Sequence, residues 1–594
     1  MPEICRSFLL VPAAGAGEGI GHLKRCMRLA AKLGPRVTFL TSRMDSAARA
    51  LLAGEIRRFP NHPRPAVLEK LTAGRRWDLV LLDARRTSRE ELGALMRHGL
   101  VVGLDEGGEA RGYAPYLIDA LPVLPGVSPA NRSSPAYLEL PDRRRGRKIS
   151  MPPLRALLSF GGEDRENLTQ RLLEALLRER IFTPENITVV EGPLFAARQW
   201  PAGPRVVRGA SGLAGSFSDH DVLFTHFGVT AFEALATGLP VILLNPGRYH
   251  ARLGAAAGLP SIGTGKPDMS ALRNLLRSPE RLWAPAESLN DGLGKGRGRR
   301  LADLCGSLSV QGSSACPICG RAGNSVIARF PEKTYRRCPR CGIAHLESFA
   351  PGGKRYGKGY FSTEYKAQYG RTYLEDFQSI KAASRVRVTI VRELAPSGLD
   401  GVVLDIGCAY GPFLDAAKDS GMPGYGLDVS PDAVDYVRRK LRIPAQCSSF
   451  PEVERRSLPR RILAVTLWYV IEHFKDTDLA VRKAASLLPQ GGVLAFSTPN
   501  GRGISSRRSF ARFLENSPAD HFTLFSPRGL RKLLAGYGLE LRRIRVTGHH
   551  PERFPGPIGR AAQRSERAFR IIAFVSRLLR LGDTFEAYAV KAEH

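Results

Sequence analysis

Four cysteines carry the plainest chemistry in the chain. Cys316, Cys319, Cys338 and Cys341 are spaced C-x2-C-x18-C-x2-C in the runs CPICG and CPRCG. Two thiolate pairs on two tight knuckles can close a tetrahedral zinc site, and four sulfur ligands leave no position for water, so a structural Zn2+ is expected. Pro317 and Pro339 stiffen the knuckles, while Gly320 and Gly342 allow the reversed turn that aims backbone amides at sulfur. Cys5, Cys26, Cys305, Cys408 and Cys447 have no partner spacing and read as small packing residues. A second constellation is VLDIGCAYGPF, residues 403–413, where a strand ends in Asp405 and enters a turn broken by Gly407 and Gly411. Twenty-three residues after Asp405, the strand candidate in GYGLDVS ends in the acid Asp428. A carboxylate there can accept from both ribose hydroxyls of a nucleoside lying over the turn. The dinucleotide fingerprint G-x-G-x-x-G needs a third glycine three residues after the second, and this stretch lacks it.

The elements around that turn give it a context. From residue 402 onward the apolar runs VVLDIG, YGLDVS, PAQCSS, ILAVTLW, GVLAFSTP, LELRRIRVT and TFEAYAVK make seven strand candidates. With TLWYVIEHFKD, GGVLAFSTPN and DHFTLFSPRGLRKLLAGYGLEL between and beside them, residues 385–594 resemble the class I methyltransferases that use S-adenosyl-L-methionine (SAM). The resemblance implies that Asp405, Gly407, Cys408 and Gly411 form the turn under the methionine part of SAM. It makes Asp428 the ribose ligand, and it makes His473 in IEHF and His521 the candidates for a catalytic base. Ala409 stands where the family has a further glycine, and Ser448, Ser449 and Phe450 follow the third strand where a carboxylate is common. The ribbon, residues 315–345, is followed by a tyrosine-dense segment at 346–384, an order that resembles zinc-ribbon methyltransferases acting on sugars and related secondary metabolites. There such a segment caps the substrate pocket. Tyr360, Tyr365, Tyr369 and Tyr373 recur every four or five residues, which fits a pocket lining or a helical stripe packed on the core.

The first half alternates short apolar strands, among them SFLLVPA, DLVLLDA, RALLSFGG and PVILLNP, with helical segments. Continuous apolar strands imply parallel sheets covered on both faces. A polar, proline-bounded stretch near residues 138–153 splits them into lobes at 1–145 and 150–285, the architecture of B-type glycosyltransferases. GIGHLKRC resembles the G-x-G-H-x-x-R-C motif of the UDP-sugar hydrolases of pseudaminic acid biosynthesis. SFGGED resembles their second-lobe motif, and THFGVTAFEALATGLPVI their nucleotide-binding strand, turn and helix. The resemblance implies that Gly19, Gly21, Arg25, Gly161, Gly162, Gly228, Thr230 and Glu233 bind a nucleotide sugar, with Glu233 on the ribose. It implies that His22 activates water against the sugar-phosphate bond. Asp105 and Glu106 replace the paired aspartates of that family.

Composition constrains the rest. At 594 residues the chain is too long for one domain, and its formal net charge is +32. The basic residues are spread over the chain; the clusters RRRGRK and GKGRGRR fall in expected linkers, so a solvated surface is favoured over an anionic membrane or nucleic acid. No N/D-P-P-Y-type tetrapeptide follows the fourth strand, which argues against a nucleic-acid substrate. No apolar run reaches the ~20 residues that span a bilayer, and a cytoplasmic location is expected. The expectation is an α/β chain: two Rossmann-like lobes, a flexible linker at 286–314, a zinc ribbon and a seven-stranded methyltransferase domain. It would be a bifunctional enzyme of glycan or surface-polysaccharide precursor biosynthesis; alternatively, the front half is a non-catalytic nucleotide-sugar or glycan-binding module.

Overall fold

The computed structural model describes residues 6–13, 21–41, 74–84, 86–138, 140, 153–192, 195, 198–208, 213–293, 300–350, 365–396 and 400–592. The chain divides into two compact units, Met1–Leu308 and Ser309–His594.

Two six-stranded parallel sheets form the first unit. The order in one is Val37–Phe39, Phe8–Pro12, Leu79–Asp83, Leu100–Leu104, Tyr116–Asp119, Arg132–Ser133. In the other it is Ser261–Thr264, Val241–Asn245, Val222–Thr225, Ala156–Leu158, Ile187–Glu191, Arg205–Arg208. The apolar strands LVLLD and VILLN are buried along their whole length, as sheets covered on both faces require. Helix Leu168–Arg178 turns Leu172, Leu173 and Leu176 onto the second sheet. The expected flexible linker is structured where it is described. Helices Pro279–Leu293 and Arg300–Ser307 occupy it, and Leu301, Cys305 and Leu308 are buried. Their spacing is an apolar helical stripe hidden in a Gly- and Arg-rich composition.

The second unit holds a seven-stranded sheet. In chain order its strands are Val402–Ile406, Gly424–Asp428, Ala445–Cys447, Ile462–Trp468, Val493–Pro499, Leu539–Thr547 and Thr584–Lys591. They lie in the order 3-2-1-4-5-7-6, and the seventh runs antiparallel to its neighbours. A smaller antiparallel sheet joins Ser325–Phe330, Lys333–Arg337 and Ala344–Ser348 to Thr523–Leu524. The ribbon is therefore not a separate module. Cys316, Ile318, Cys338 and Ile343 share one core with Leu530, Leu534 and Phe496, and Lys333 Nζ donates to the carbonyls of Leu514 and Ser517 at 3.1 and 2.7 Å. The tyrosine-rich segment continues into the long helix Tyr373–Leu394, which crosses the boundary expected at residue 385 and opens on a Thr372/Glu375 capping box. Tyr360 lies outside the described residues. No helix among the described residues is long and apolar enough to cross a membrane.

Candidate functional site

The turn after the first strand of the seven-stranded sheet has the backbone its sequence demands. Gly407 and Gly411 have φ of 70° and 79°, and Ala409 between them has φ 48°. Glycine reaches that region at no steric cost; alanine does not. What holds Ala409 there is Asp428: its Oδ2 accepts from the Ala409 amide and its Oδ1 from the Ser430 amide, both at 2.8 Å. Burial raises the Asp428 carboxyl against the pull of these amides. Asp405 is sealed beneath the turn, where Thr466 Oγ1 donates to its Oδ1 at 2.6 Å. Burial pushes Asp405 up to about 7. Backbone and carboxylate together form a cradle that could hold a nucleoside. The Cys408 side chain points into an apolar cluster with Leu414, Val434 and Val437, so only its backbone can line the cradle. A Cβ on Gly407 would come within 2.4 Å of Val470 Cγ2, so the glycine is required by its protein neighbour as well as by its φ.

Above the turn, Tyr373, Tyr410 and Tyr436 pack ring against ring, with centroids 5.9 and 5.1 Å apart, and Tyr365 meets Tyr373 at 5.0 Å. Burial, with Tyr365, Asp405 and Asp428 nearby, raises the Tyr373 hydroxyl. Tyr365 and Tyr373, two of the four predicted tyrosines, thus join a ring cluster with Tyr410 of the turn.

His473 and His521, expected separately, meet edge to face at 4.7 Å between centroids. His473 Nδ1 lies 3.4 Å from Asp520 Oδ2. Sequence reading passed over Glu472 and Asp520. Glu472 is 1 % exposed and its Oε2 is buried with no hydrogen-bond partner among the described residues. Burial pushes its carboxyl up to about 7 although the neighbouring His473 opposes it. A group that titrates near neutrality beside two imidazoles suits proton transfer.

The four ribbon cysteines come together as their spacing predicts. Cys316 Sγ is 3.4 Å from Cys341 Sγ, and Cys319 Sγ is 3.6 Å from Cys338 Sγ and 3.7 Å from Cys341 Sγ. The amides of Gly320 and Gly342 close the two knuckles on the Cys316 and Cys338 carbonyls at 3.0 and 2.9 Å. This cluster could hold a metal ion.

In the first unit, helix Gly21–Leu33 brings His22, Arg25 and Cys26 against the end of strand Leu79–Asp83. His22 Nδ1 donates to Asp83 Oδ1 at 2.6 Å. Arg25 grips both Asp83 oxygens, at 2.5 and 2.9 Å, and reaches Asp105 Oδ2 at 2.6 Å. Burial alone would raise Asp83, but Arg25 and His22 hold it well below the usual carboxylate range. Arg25 is 3 % exposed and its guanidinium is spent on two carboxylates, so it does not offer itself to a diphosphate. Asp105, at φ 52°, also caps the amides of Ala120 and Leu121, and Glu106 accepts from Thr87 and Gly108. In the second lobe, His226 sits between the two glycine motifs. Its Nε2 lies 3.1 Å from the Phe160 carbonyl, and a Cβ on Gly161 or Gly228 would meet its ring at 3.3 or 3.6 Å. Gly162 follows in the same turn, half-buried. Thr230 lies in the first turn of helix Val229–Thr237, and Glu233 of that helix pairs with Arg28. Gly21 opens its helix; Gly19 lies outside the described residues.

Residues 380–544 match the model of a family described as a methyltransferase domain. The C-terminal region is a class I SAM-dependent methyltransferase domain. The chain is 30 % identical over 134 residues to a ubiquinone biosynthesis O-methyltransferase of Bordetella avium, covering 21 % of this chain and 54 % of that protein. It is 35 % identical over 99 residues to uncharacterized protein MJ1062 of Methanocaldococcus jannaschii, covering 15 % of this chain and 20 % of that one. The chain thus spans about half the length of the first relative and a fifth of the second. Among solved structures, a SAM-dependent methyltransferase of Archaeoglobus fulgidus aligns at 20 % identity and TM-score 0.28, over 38 % of this chain and 98 % of that one. The matched residues include the Asp405–Gly411 turn, Asp428, the Glu472–His473 pair and His521.

Proposed function

We propose that the chain is a SAM-dependent methyltransferase of glycan-precursor biosynthesis, fused to a nucleotide-sugar-recognising module. The observation that carries the methyltransferase reading is the clasp of Asp428 on the turn Gly407–Gly411, within the matched region. SAM supplies an electrophilic sulfonium methyl. The turn would hold its methionine part, and Asp428, with lone pairs left on both oxygens, its ribose hydroxyls. Tyr365, Tyr373 and Tyr410 would cover the cofactor and exclude water. The Glu472, His473 and His521 cluster would take the proton from the acceptor as the methyl moves; the names of the ubiquinone biosynthesis relatives favour an oxygen acceptor. The cysteine cluster suits zinc, because a tetrahedral site with Zn–S of about 2.3 Å holds its sulfurs roughly 3.8 Å apart, near the separations here. Calorimetry of the full chain with SAM tests the reading, followed by methyl transfer from labelled SAM onto a panel of nucleotide sugars and phenols. Absence of SAM binding overturns it.

The first unit supports a second activity on one observation, the buried contact of Asp83 with His22. An ionised carboxylate only accepts, so the Nδ1 proton is fixed there and Nε2 is the atom left to act as base on a water. Two parallel sheets with glycine turns gathered about His226 support a B-type glycosyltransferase-like site for a UDP-sugar. Release of UDP from UDP-amino sugars tests hydrolysis; tight nucleotide binding without turnover would leave a binding module.

A further inference from the structure

The segment between the sixth and seventh strands of the methyltransferase sheet folds into two helices, Gly556–Arg564 and Glu566–Leu578. The second helix is tied to the body of the unit by one narrow face. Ala573 and Ser576 are buried, and Ser576 Oγ lies 2.8 Å from His549 Nδ1. The opposite face is apolar and open to solvent. Ile571, Phe574, Leu578 and Leu579 are 64, 59, 67 and 59 % exposed, and Val575 is exposed beside them. At 3.6 residues per turn, Phe574, Leu578, Ile571 and Val575 fall in one stripe about 100° wide. Leaving four such side chains in water is costly unless something covers them.

The charge on this hairpin says what the cover is. Arg560, Arg564, Arg567, Arg570, Arg577 and Arg580 are exposed, and Glu566 is the single acid between residues 556 and 580. Arg570 and Arg577 border the apolar stripe on one edge, with Arg567 inside it. A second copy seated on this face would bring two sets of arginines together, which disfavours self-association. An apolar stripe edged by arginines is instead the pattern of a helix lying in the plane of an anionic bilayer, with rings and aliphatic groups among the acyl chains and guanidinium groups at the phosphates. We propose that the helix Glu566–Leu578 docks the chain on an anionic lipid surface. This goes beyond the methyltransferase reading and does not depend on it; the helix crosses no membrane.

The test uses the full-length chain with vesicles of phosphatidylcholine alone and of phosphatidylcholine mixed with phosphatidylglycerol. The chain should co-sediment with the mixed vesicles, and the indole of an F574W variant should shift to the blue on binding. F574D/L578D should lower vesicle affinity on the order of tenfold or more while leaving the melting temperature in place, since both positions are exposed. R567Q/R570Q/R577Q should remove the preference for anionic vesicles. Because the chain is strongly basic, the decisive outcome is the apolar variant. Binding that is undiminished in F574D/L578D, with no shift in F574W, would be charge attraction elsewhere and overturns the proposal. A concentration-dependent dimer that F574D/L578D dissolves, with no binding to either vesicle, overturns it in favour of a second copy.

Discussion

The Ala409 amide donates to Asp428 Oδ2 at 2.8 Å from a backbone held at φ 48°. The acid at the end of the second strand thereby fixes the strained step of the turn after the first. Ala409→Gly should relieve the strain and raise stability by about 1 kcal/mol, with SAM affinity preserved. If Asp428 holds the ribose as proposed, Asp428→Ala should cost on the order of 2 kcal/mol or more of SAM affinity, through the lost acceptor and the released Ala409 and Ser430 amides. Calorimetry and thermal melts separate the two effects. Full affinity in Asp428→Ala would remove this carboxylate from the cofactor site.

Gly407 and Val470 form a testable pair. A methyl at residue 407 would lie 2.4 Å from Val470 Cγ2 and force a left-handed backbone on alanine. Gly407→Ala should destabilise the unit by about 1–3 kcal/mol. Val470→Ala should recover the steric share and leave the backbone share, giving a coupling energy above about 0.5 kcal/mol in a double-mutant cycle. Additive effects would mean that the turn shifts away from Val470 instead.

Metal removal should reach further than the ribbon. Because Cys316 and Cys338 belong to the core that also holds Leu530, Leu534 and Phe496, Cys338→Ser should release about one zinc and lower the melting temperature of the whole methyltransferase unit. A metal-free native protein with unchanged melting speaks against a structural zinc.

The buried Asp405 gives stability a definite slope with pH. Its carboxyl is pushed up to about 7 in the fold, against about 3.9 in the unfolded chain. Between these values the folded state keeps a proton that the unfolded state releases, so this group favours folding at low pH and loses that contribution as pH rises through 7. Asp405→Asn lacks the loss. Measured without cofactor, its stability relative to wild type should grow across that window by at most about 1.4 kcal/mol per pH unit. A pH-independent difference would mean that Asp405 titrates normally.

The strands were legible because continuous apolar runs and glycine-broken turns are local signals. All seven strands of the methyltransferase sheet lie where alternation and turn residues put them. Among the strands that the sequence did not announce, Thr523–Leu524 is two residues long and pairs with Ala344 and His345, far away in sequence. Cysteine spacing also carried its information locally. Asp83 did not: it reaches His22 because strands Phe8–Pro12 and Leu79–Asp83 are neighbours, a fact of topology. For the same reason Arg25 looked available to a phosphate. Nothing in GHLKRC announces that two carboxylates from other strands will claim its guanidinium.

If His22 is a base oriented by Asp83, His22→Asn should abolish UDP release and leave nucleotide-sugar binding nearly unchanged. Asp83→Asn should keep the ring but lose the partner that fixes its tautomer, lowering kcat by about 10²–10⁴ with little change in KM. It should also cost stability, on the order of 3–5 kcal/mol, because Arg25 is left with Asp105 alone in a buried site. Glu233→Ala should act on KM, either by removing a ribose contact or by freeing Arg28. The pH profile separates catalysis from folding: an orienting Asp83 alters the profile of the folded fraction, whereas a purely structural one lowers only its amount. Equal turnover per folded molecule in wild type and Asp83→Asn would reduce the His22–Asp83 contact to a packing feature.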